Sequence, residues 1–268
     1  MSDQGKTTTP SYSVPPVERA ISLLRYIGNG HKCRNLSTAA KELSINRTTL
    51  IRLIHTLLDT RMIEEIDEGA GYILGPGLIS LAAQAIHGRD IVQVCQPILA
   101  DLMRSTGMSA HLGILDGADI VYLSREAPNS HLVSNVRAGS RLAVHASSIG
   151  RAILSQLPAD DIATLLAGAE LAPSTDKTPV TLDAVLAQAA QDRTLGYAWS
   201  EGNFEAGIGS CAAVIFDHSG KPAGGLNVSG PISAFTGEAS EGRETIRAAV
   251  VAAARQASLG MGYTANGY

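Results

Sequence analysis

The chain has 268 residues, 45% of them hydrophobic, 4% aromatic and 17% charged, with a formal net charge of −4. This length exceeds one average domain and suits two modest ones, each with apolar residues enough for a core. The longest apolar runs, Ala248 to Ala254 and Leu78 to Ile86, fall short of the roughly 20 residues that span a bilayer. Met1 to Tyr12 is polar with no apolar signal core, so a cytoplasmic protein with no membrane partner is expected.

Cys33, Cys95 and Cys211 are far apart and outside any CxxC spacing, which supports neither a disulfide framework nor a zinc site. They read as small buried hydrophobes. Charge is uneven along the chain: residues 1 to 63 hold nine bases against four acids, a net +5, leaving −9 on the rest. Such asymmetry points weakly to a polyanion partner for the basic part.

Residues 1 to 13 lack periodicity and read as a flexible tail. Val17, Ala20, Ile21, Leu24 and Ile27 recur at helical spacing between Pro15-Pro16 and Gly28, the first helix. Leu36, Ala39, Ala40 and Leu43 form a short second one with Ser37 available as its N-cap, and Ser44-Ile45 makes a tight connection. Asn46 can cap a third helix whose apolar face is Leu50, Ile54, Leu57 and Leu58. Two helices around so brief a turn are the helix-turn-helix pattern.

Off that apolar face lie Arg47, Thr48, Thr49 and Arg52, residue types that can bond guanine edges, meet a thymine methyl or hold a phosphate in a major groove. They are the candidate DNA contacts. Met62 to Ile66 and Tyr72 to Leu74 flank a glycine-permissive turn and read as a hairpin, the wing. Glu64, Glu65, Asp67 and Glu68 there would repel phosphate, so the wing is expected to touch the DNA backbone lightly or not at all. The bland alternative is a bundle of amphipathic helices with Arg47 and Arg52 merely solvated.

Leu78, Leu81, Ala82 and Ala85 make an isolated apolar helix, and Asp90 onward reads as another that Pro97 kinks or breaks. Strands are expected at Ser109 to Leu115 and Ile120 to Arg125, around the hairpin signal Asp116-Gly117, and at His131 to Arg137. Helical patterns at Ser147 to Leu157, Asp160 to Ala167 and Leu182 to Asp192 precede strands at Ser210 to Phe216 and Ala223 to Ser229. A long helix from Phe235 to Leu259 closes the chain. Strands grouped with helices on one face and at the ends give an α+β unit on an antiparallel sheet.

Several stretches resemble the IclR family of bacterial transcriptional regulators. They are Val17-Glu18-Arg19-Ala20, Leu36 to Ala40, Asn46 to Leu53 and the wing exit Tyr72-Ile73-Leu74-Gly75-Pro76-Gly77. The resemblance is strongest in Gly139 to Leu154, Gly196 to Gly207, and Ala212 to Phe216 through Val228-Ser229-Gly230-Pro231. Departures are Ala143, where many members carry proline, and Asn203-Phe204, where an acidic residue and then a small or polar one is usual.

The resemblance implies a winged helix-turn-helix over 14–75, a linker helix over 76–90 and a GAF-like effector-binding domain over 91–263. It implies that Ile79, Leu81, Ala82 and Ile86 pair two chains, giving a homodimer or dimer of dimers on a double-stranded DNA operator. Ser147 and Ser148 begin a helix, whose free N–H groups suit an anion. Carried over residue by residue, Leu142, Ser148 and Ile149 form one wall of an effector pocket, with Ser200, Ser210, Asn227 and Ser229 around it. The effector so implied is a small carboxylic acid with an aromatic or apolar body, Trp199 helping to surround it. His145 is expected to be structural.

No GxSxG, HExxH or GxxxxGK[ST] occurs, and Gly207-Ile208-Gly209-Ser210-Cys211-Ala212 fits GxGxxA only as a strand entry, so neither enzyme activity, metal nor cofactor is expected. A Ser/His/Asp hydrolase and a sensor without specific DNA binding stay open as alternatives.

Overall fold

The computed structural model describes residues 13–67, 69–87, 90–128, 136–236 and 240–264. The expected tail and most of the strand expected at His131 to Arg137 lie outside these, and Val136 and Arg137 are not in a strand. Two compact units divide the chain, Met1–Ala85 and Ile86–Tyr268.

In the first unit, α1 (Pro15–Gly28), α2 (Leu36–Glu42) and α3 (Arg47–Asp59) precede a hairpin of β1 (Ile63–Glu65) and β2 (Tyr72–Leu74). Leu23, Ile27, Ala39, Leu50, Ile54, Leu57 and Ile63 make its core. The face of α3 is the one its apolar spacing anticipated, whereas in α1 the buried residues are Leu23 and Ile27, and Val17 and Ile21 of the expected face are exposed. The cap of α2 is Asn35 rather than Ser37: Asn35 Oδ1 accepts from the N–H groups of Ser37 and Thr38. Asn46 Oδ1 takes the Thr48 N–H at 2.8 Å and starts α3 as expected. Between them Ser44 adopts φ +52, the left-handed residue that makes so short a turn. The hairpin is tied to the body by Tyr72 N–H donating to the Lys32 carbonyl at 2.9 Å and by Arg34 Nε donating to Ala70 O at 3.1 Å. Helix α4 (Pro76–His87) follows.

In the second unit α5 (Asp90–Thr106) runs through Pro97 unbroken. The strands are β3 (Ser109–Asp116), β4 (Asp119–Glu126), β5 (Arg141–Ala143), β6 (Ala198–Glu201), β7 (Ile208–Phe216) and β8 (Pro222–Pro231). They form one antiparallel sheet in the order β5-β4-β3-β8-β7-β6. Short β5 and β6 carry too few residues for a period-2 pattern, and the sequence reading passed over both. Gly117 (φ +59) and Ala118 are the two-residue loop of the β3–β4 hairpin, one position beyond the expected pair. Between β5 and β6 come α6 (Ser148–Leu154), α7 (Ala159–Leu165) and α8 (Leu182–Leu195); α9 (Ser240–Gly260) is last, starting five residues after Phe235, which instead follows a 3-10 turn.

Alternation along the strands sorts the residues into two faces. Ala110 and Leu112 of β3, Leu226 and Val228 of β8, and Cys211, Ala213 and Ile215 of β7 pack under α5 and α9. The neighbours that alternate with them face α6, α7 and α8. There Ile120, Leu142, Ile149, Ile153, Ala198 and Ala212 form a second core. Helix α6 sits close because Gly225 has no side chain: a Cβ there would lie 2.9 Å from Ile149 Cγ2. Arg151 of α6 and Asp192 of α8 add a buried two-pronged ion pair, at 3.0 and 2.8 Å. Burial pushes the Asp192 carboxyl up, while Arg151 and Gln188 draw it back.

Candidate functional site

On the face that carries the second core, part of the sheet is polar. In register, Ser200 of β6 stands opposite Ser210 of β7, Ser210 opposite Ser229 of β8, and Asn227 of β8 opposite His111 of β3. Directly opposed residues share a face, so four strands aim these side chains at the space beneath α6. That space is a cavity with about 400 Å³ free of atoms, its open mouth included, bordered by His111, Tyr122, Leu142, Ser148, Phe204 and Glu205 besides the strand residues. The room that remains for a moving molecule inside is tight in this conformation. Phe204 and Glu205 are exposed at the loop between β6 and β7.

Of the seven residues expected to hold an effector, the structure brings six together here: Leu142, Ser148, Ser200, Ser210, Asn227 and Ser229. Ile149 is the exception. One step along α6 turns it about 100° from Ser148, and it is fully buried against the glycine floor of the sheet. Trp199 is likewise corrected by alternation, since it points to the α5–α9 side, where its indole packs on Phe235 and Arg243 lies 4.6 Å over its ring. His145 is structural as expected, its Nε2 3.2 Å from Ala172 O.

Sequence reasoning missed His111, Tyr122 and the loop pair Phe204-Glu205. His111 stands in a strand that reads as plain alternation, and only its register partner Asn227 marks it as a pocket residue. Its Nδ1 lies 2.9 Å from Asn227 Oδ1, and the Asn227 amide nitrogen donates to Ser148 Oγ at 3.0 Å. Burial, together with the Arg125 charge, lowers its pKa to about 4 despite the Asn227 bond, so the ring is neutral at physiological pH.

The polar groups differ in what they have left to give. Ser200 Oγ donates to Asn203 Oδ1 at 3.0 Å and accepts the Asn203 N–H at 3.2 Å, which spends it on the loop. Asn203 thereby holds the loop that begins with the family departure. Ser148 Oγ accepts from Asn227 and keeps its proton. Ser210 and Ser229 meet no hydrogen-bond partner among the described residues. Ser147 Oγ takes the Gly150 N–H at 3.0 Å, so one donor of the first turn that the sequence offers to an anion is already occupied. With α6 only seven residues long, the hydroxyls are the main donors left. No Lys or Arg is among the described lining residues. Nor does a hydroxyl here bond His111, as a nucleophile would bond its base.

In the first unit Arg47, Thr48 and Arg52 of α3 are exposed and Thr49 half-buried. Neither guanidinium meets a carboxylate within ion-pair distance among the described residues. Glu64, Glu65 and Asp67 of the hairpin are exposed too. The pattern can present a short polar helix end with two uncompensated cations.

Among known proteins, residues 83–259 match the family model for the C-terminal part of the bacterial transcriptional regulator IclR. The HTH-type transcriptional regulator BhcR of Paracoccus denitrificans is 30% identical over 252 residues, 94% of this chain and 88% of that protein. The crystal structure of an IclR transcriptional regulator from Alicyclobacillus acidocaldarius is 25% identical and superposes with a TM-score of 0.79, covering 94% of this chain and 100% of that one. An IclR homologue from Microbacterium hydrocarbonoxydans, crystallised with 4-hydroxybenzoate, shares the fold at 20% identity, with a TM-score of 0.75 over 92% of this chain and 98% of the other. Among the described residues no helix is long and apolar enough to cross a membrane. The chain belongs to the IclR family of bacterial transcriptional regulators.

Proposed function

We propose that α3 reads an operator through Arg47, Thr48, Thr49 and Arg52, and that a small carboxylic acid with an aromatic or apolar body, bound in the sheet cavity, controls that reading. The convergence of six expected residues from five separate elements around one space carries the proposal. Ser148, Ser210 and Ser229 supply donors for a carboxylate, and Tyr122, Val136, Leu142 and Ile208 the apolar wall for its body. Neutral donors spare the cost of burying a lysine or arginine. The 4-hydroxybenzoate bound by the Microbacterium relative has this chemistry.

Domains over 14–75 and 91–263 would be joined by a linker at 76–90 that pairs two chains; Ile79 and Leu81, 70% and 51% exposed, supply its apolar surface. A ligand that bridges α6 to β7 and β8 favours one spacing of those elements over another, and so biases the paired helices on DNA.

Arg47→Ala and Arg52→Ala are each expected to weaken operator binding by about 1 to 3 kcal/mol while leaving ligand-induced thermal stabilisation intact. Gel shifts on DNA from upstream of the gene, with melting curves in parallel, test this. Unchanged DNA affinity in both variants would remove α3 from the interface.

A further inference from the structure

A second concavity lies at the free edge of β6, the last strand of the sheet, and shares no lining residue with the sheet cavity. It holds about 630 Å³ free of atoms, its open mouth included, and is bordered by Arg151 of α6, Gln188 and Asp192 of α8, Lys177 ahead of α8, Arg243 of α9 and Glu201 of β6. Its donors outnumber its acceptors. Asp192 is spent, since Oδ2 takes Arg151 Nε while Oδ1 takes both Arg151 Nη2 and Gln188 Nε2. Arg151 is 4% exposed, yet its Nη1 has no hydrogen-bond partner among the described residues and, unlike His111 Nε2, is not sealed off. A buried guanidinium therefore turns one free amino group to the open space it borders, the cleft. Lys177 Nζ gives one bond, to the Glu201 carbonyl at 2.8 Å, and keeps two protons. Arg243 lies over the Trp199 ring, and neither it nor Lys177 meets a carboxylate within ion-pair distance among the described residues. Glu201 already accepts the Trp199 indole N–H at 3.2 Å. Asn203, also on the lining, puts a neutral amide where an acidic residue is usual.

We infer that this cleft is a second ligand site, for a small tetrahedral oxyanion: phosphate, free or as the monoester group of a phosphorylated metabolite. The class follows from the donors. Arg151 Nη1, Lys177 Nζ and the Arg243 guanidinium come from α6, the segment ahead of α8, and α9. Charge-assisted donors on separate elements suit the several oxygens of a phosphate better than the two coplanar oxygens of a carboxylate. The lining carries a net charge of +1, from these three cations against Asp192 and Glu201, which an anion offsets. An apolar acid gains little here, because Leu195 and Trp199 are the apolar residues among the described lining. The inference does not depend on the effector reading, which concerns the neutral hydroxyls of the other cavity.

Calorimetric titration of the full-length protein at low ionic strength is the test, with inorganic phosphate, glycerol 3-phosphate and phenyl phosphate, and with glycerol and benzoate as controls. At least one phosphate is expected to bind with a Kd of about 1 mM or tighter. Tighter binding of an ester assigns the site to a metabolite, and tighter binding of inorganic phosphate assigns it to the free ion. Lys177 and Arg243 are exposed, so Lys177→Gln/Arg243→Gln should fold, and it is expected to weaken phosphate binding about tenfold or more. Ser210→Ala/Ser229→Ala in the sheet cavity and Arg47→Ala/Arg52→Ala on α3 should bind phosphate as the wild type does. If the double variant at the cleft fails to fold, Lys177→Gln alone decides, because the one bond of its ammonium is to the Glu201 carbonyl. Unchanged phosphate affinity in the folded cleft variant, loss confined to the α3 or cavity variant, or no binding of any phosphate to the wild type would overturn the inference.

Discussion

The two faces of the six-stranded sheet are made from the same strands and do different work. Toward α5 and α9 the strands present Ala110, Leu112, Cys211, Ala213, Ile215, Leu226 and Val228, an unbroken apolar layer. Burial pushes the thiols of Cys95 and Cys211 there up to about 12, so they behave as hydrophobes. The face toward α6 is half core and half polar, with Ser200, Ser210, Asn227, Ser229 and His111 set across four strands. The first face is core alone, the second joins a core to the polar groups we propose for ligand binding, and a single residue step along a strand moves from one to the other.

Leu226 and Ser229 show the contrast on one strand. Leu226→Ala opens a cavity in the dry layer and is expected to cost about 3 to 5 kcal/mol of unfolding free energy, with ligand affinity nearly unchanged. Urea denaturation beside calorimetry checks both halves; equal loss of affinity would mean that the faces are not independent.

His111 sharpens the comparison through pH. Its folded pKa, about 4, lies below the unfolded value near 6.5. The fold refuses a proton that the unfolded chain accepts. This group's contribution is therefore complete above about pH 6.5, declines as pH falls toward 4, and levels off below, a change of about 3 kcal/mol. The difference in stability between wild type and His111→Gln, measured by denaturation from pH 7.5 to 4, isolates it. A pH-independent difference would mean that the ring is solvated or already charged.

How much of this the sequence reveals follows the same physics. Helix α3 and its Asn46 cap were legible because a cap and a 3.6-residue apolar period are local. The serines of β7 and β8 and Ser148 were identified through the family's motifs; His111 and Tyr122 were not, since nothing local separates them from ordinary strand residues. The role of His111 depends on register between β3 and β8, which joins it to Asn227 116 residues away, and that of Tyr122 on the pairing of β4 with β3. Ile149 was misplaced for a related reason. Adjacent motif residues look equivalent in sequence, yet a helix turns the second into the core, where Gly113 and Gly225 make room for it.

The most direct test of ligand control from the polar face is calorimetric titration of the Ser210→Ala/Ser229→Ala variant beside the wild type, using the tightest-binding acid and following the acid's effect on operator binding. Removing two free donors should weaken binding about a hundredfold and shift the acid's effect on DNA to correspondingly higher concentration. The melting temperature of the ligand-free protein should stay close to that of wild type. Unaltered affinity for the acid in a folded variant would contradict the assignment of this cavity as the effector site.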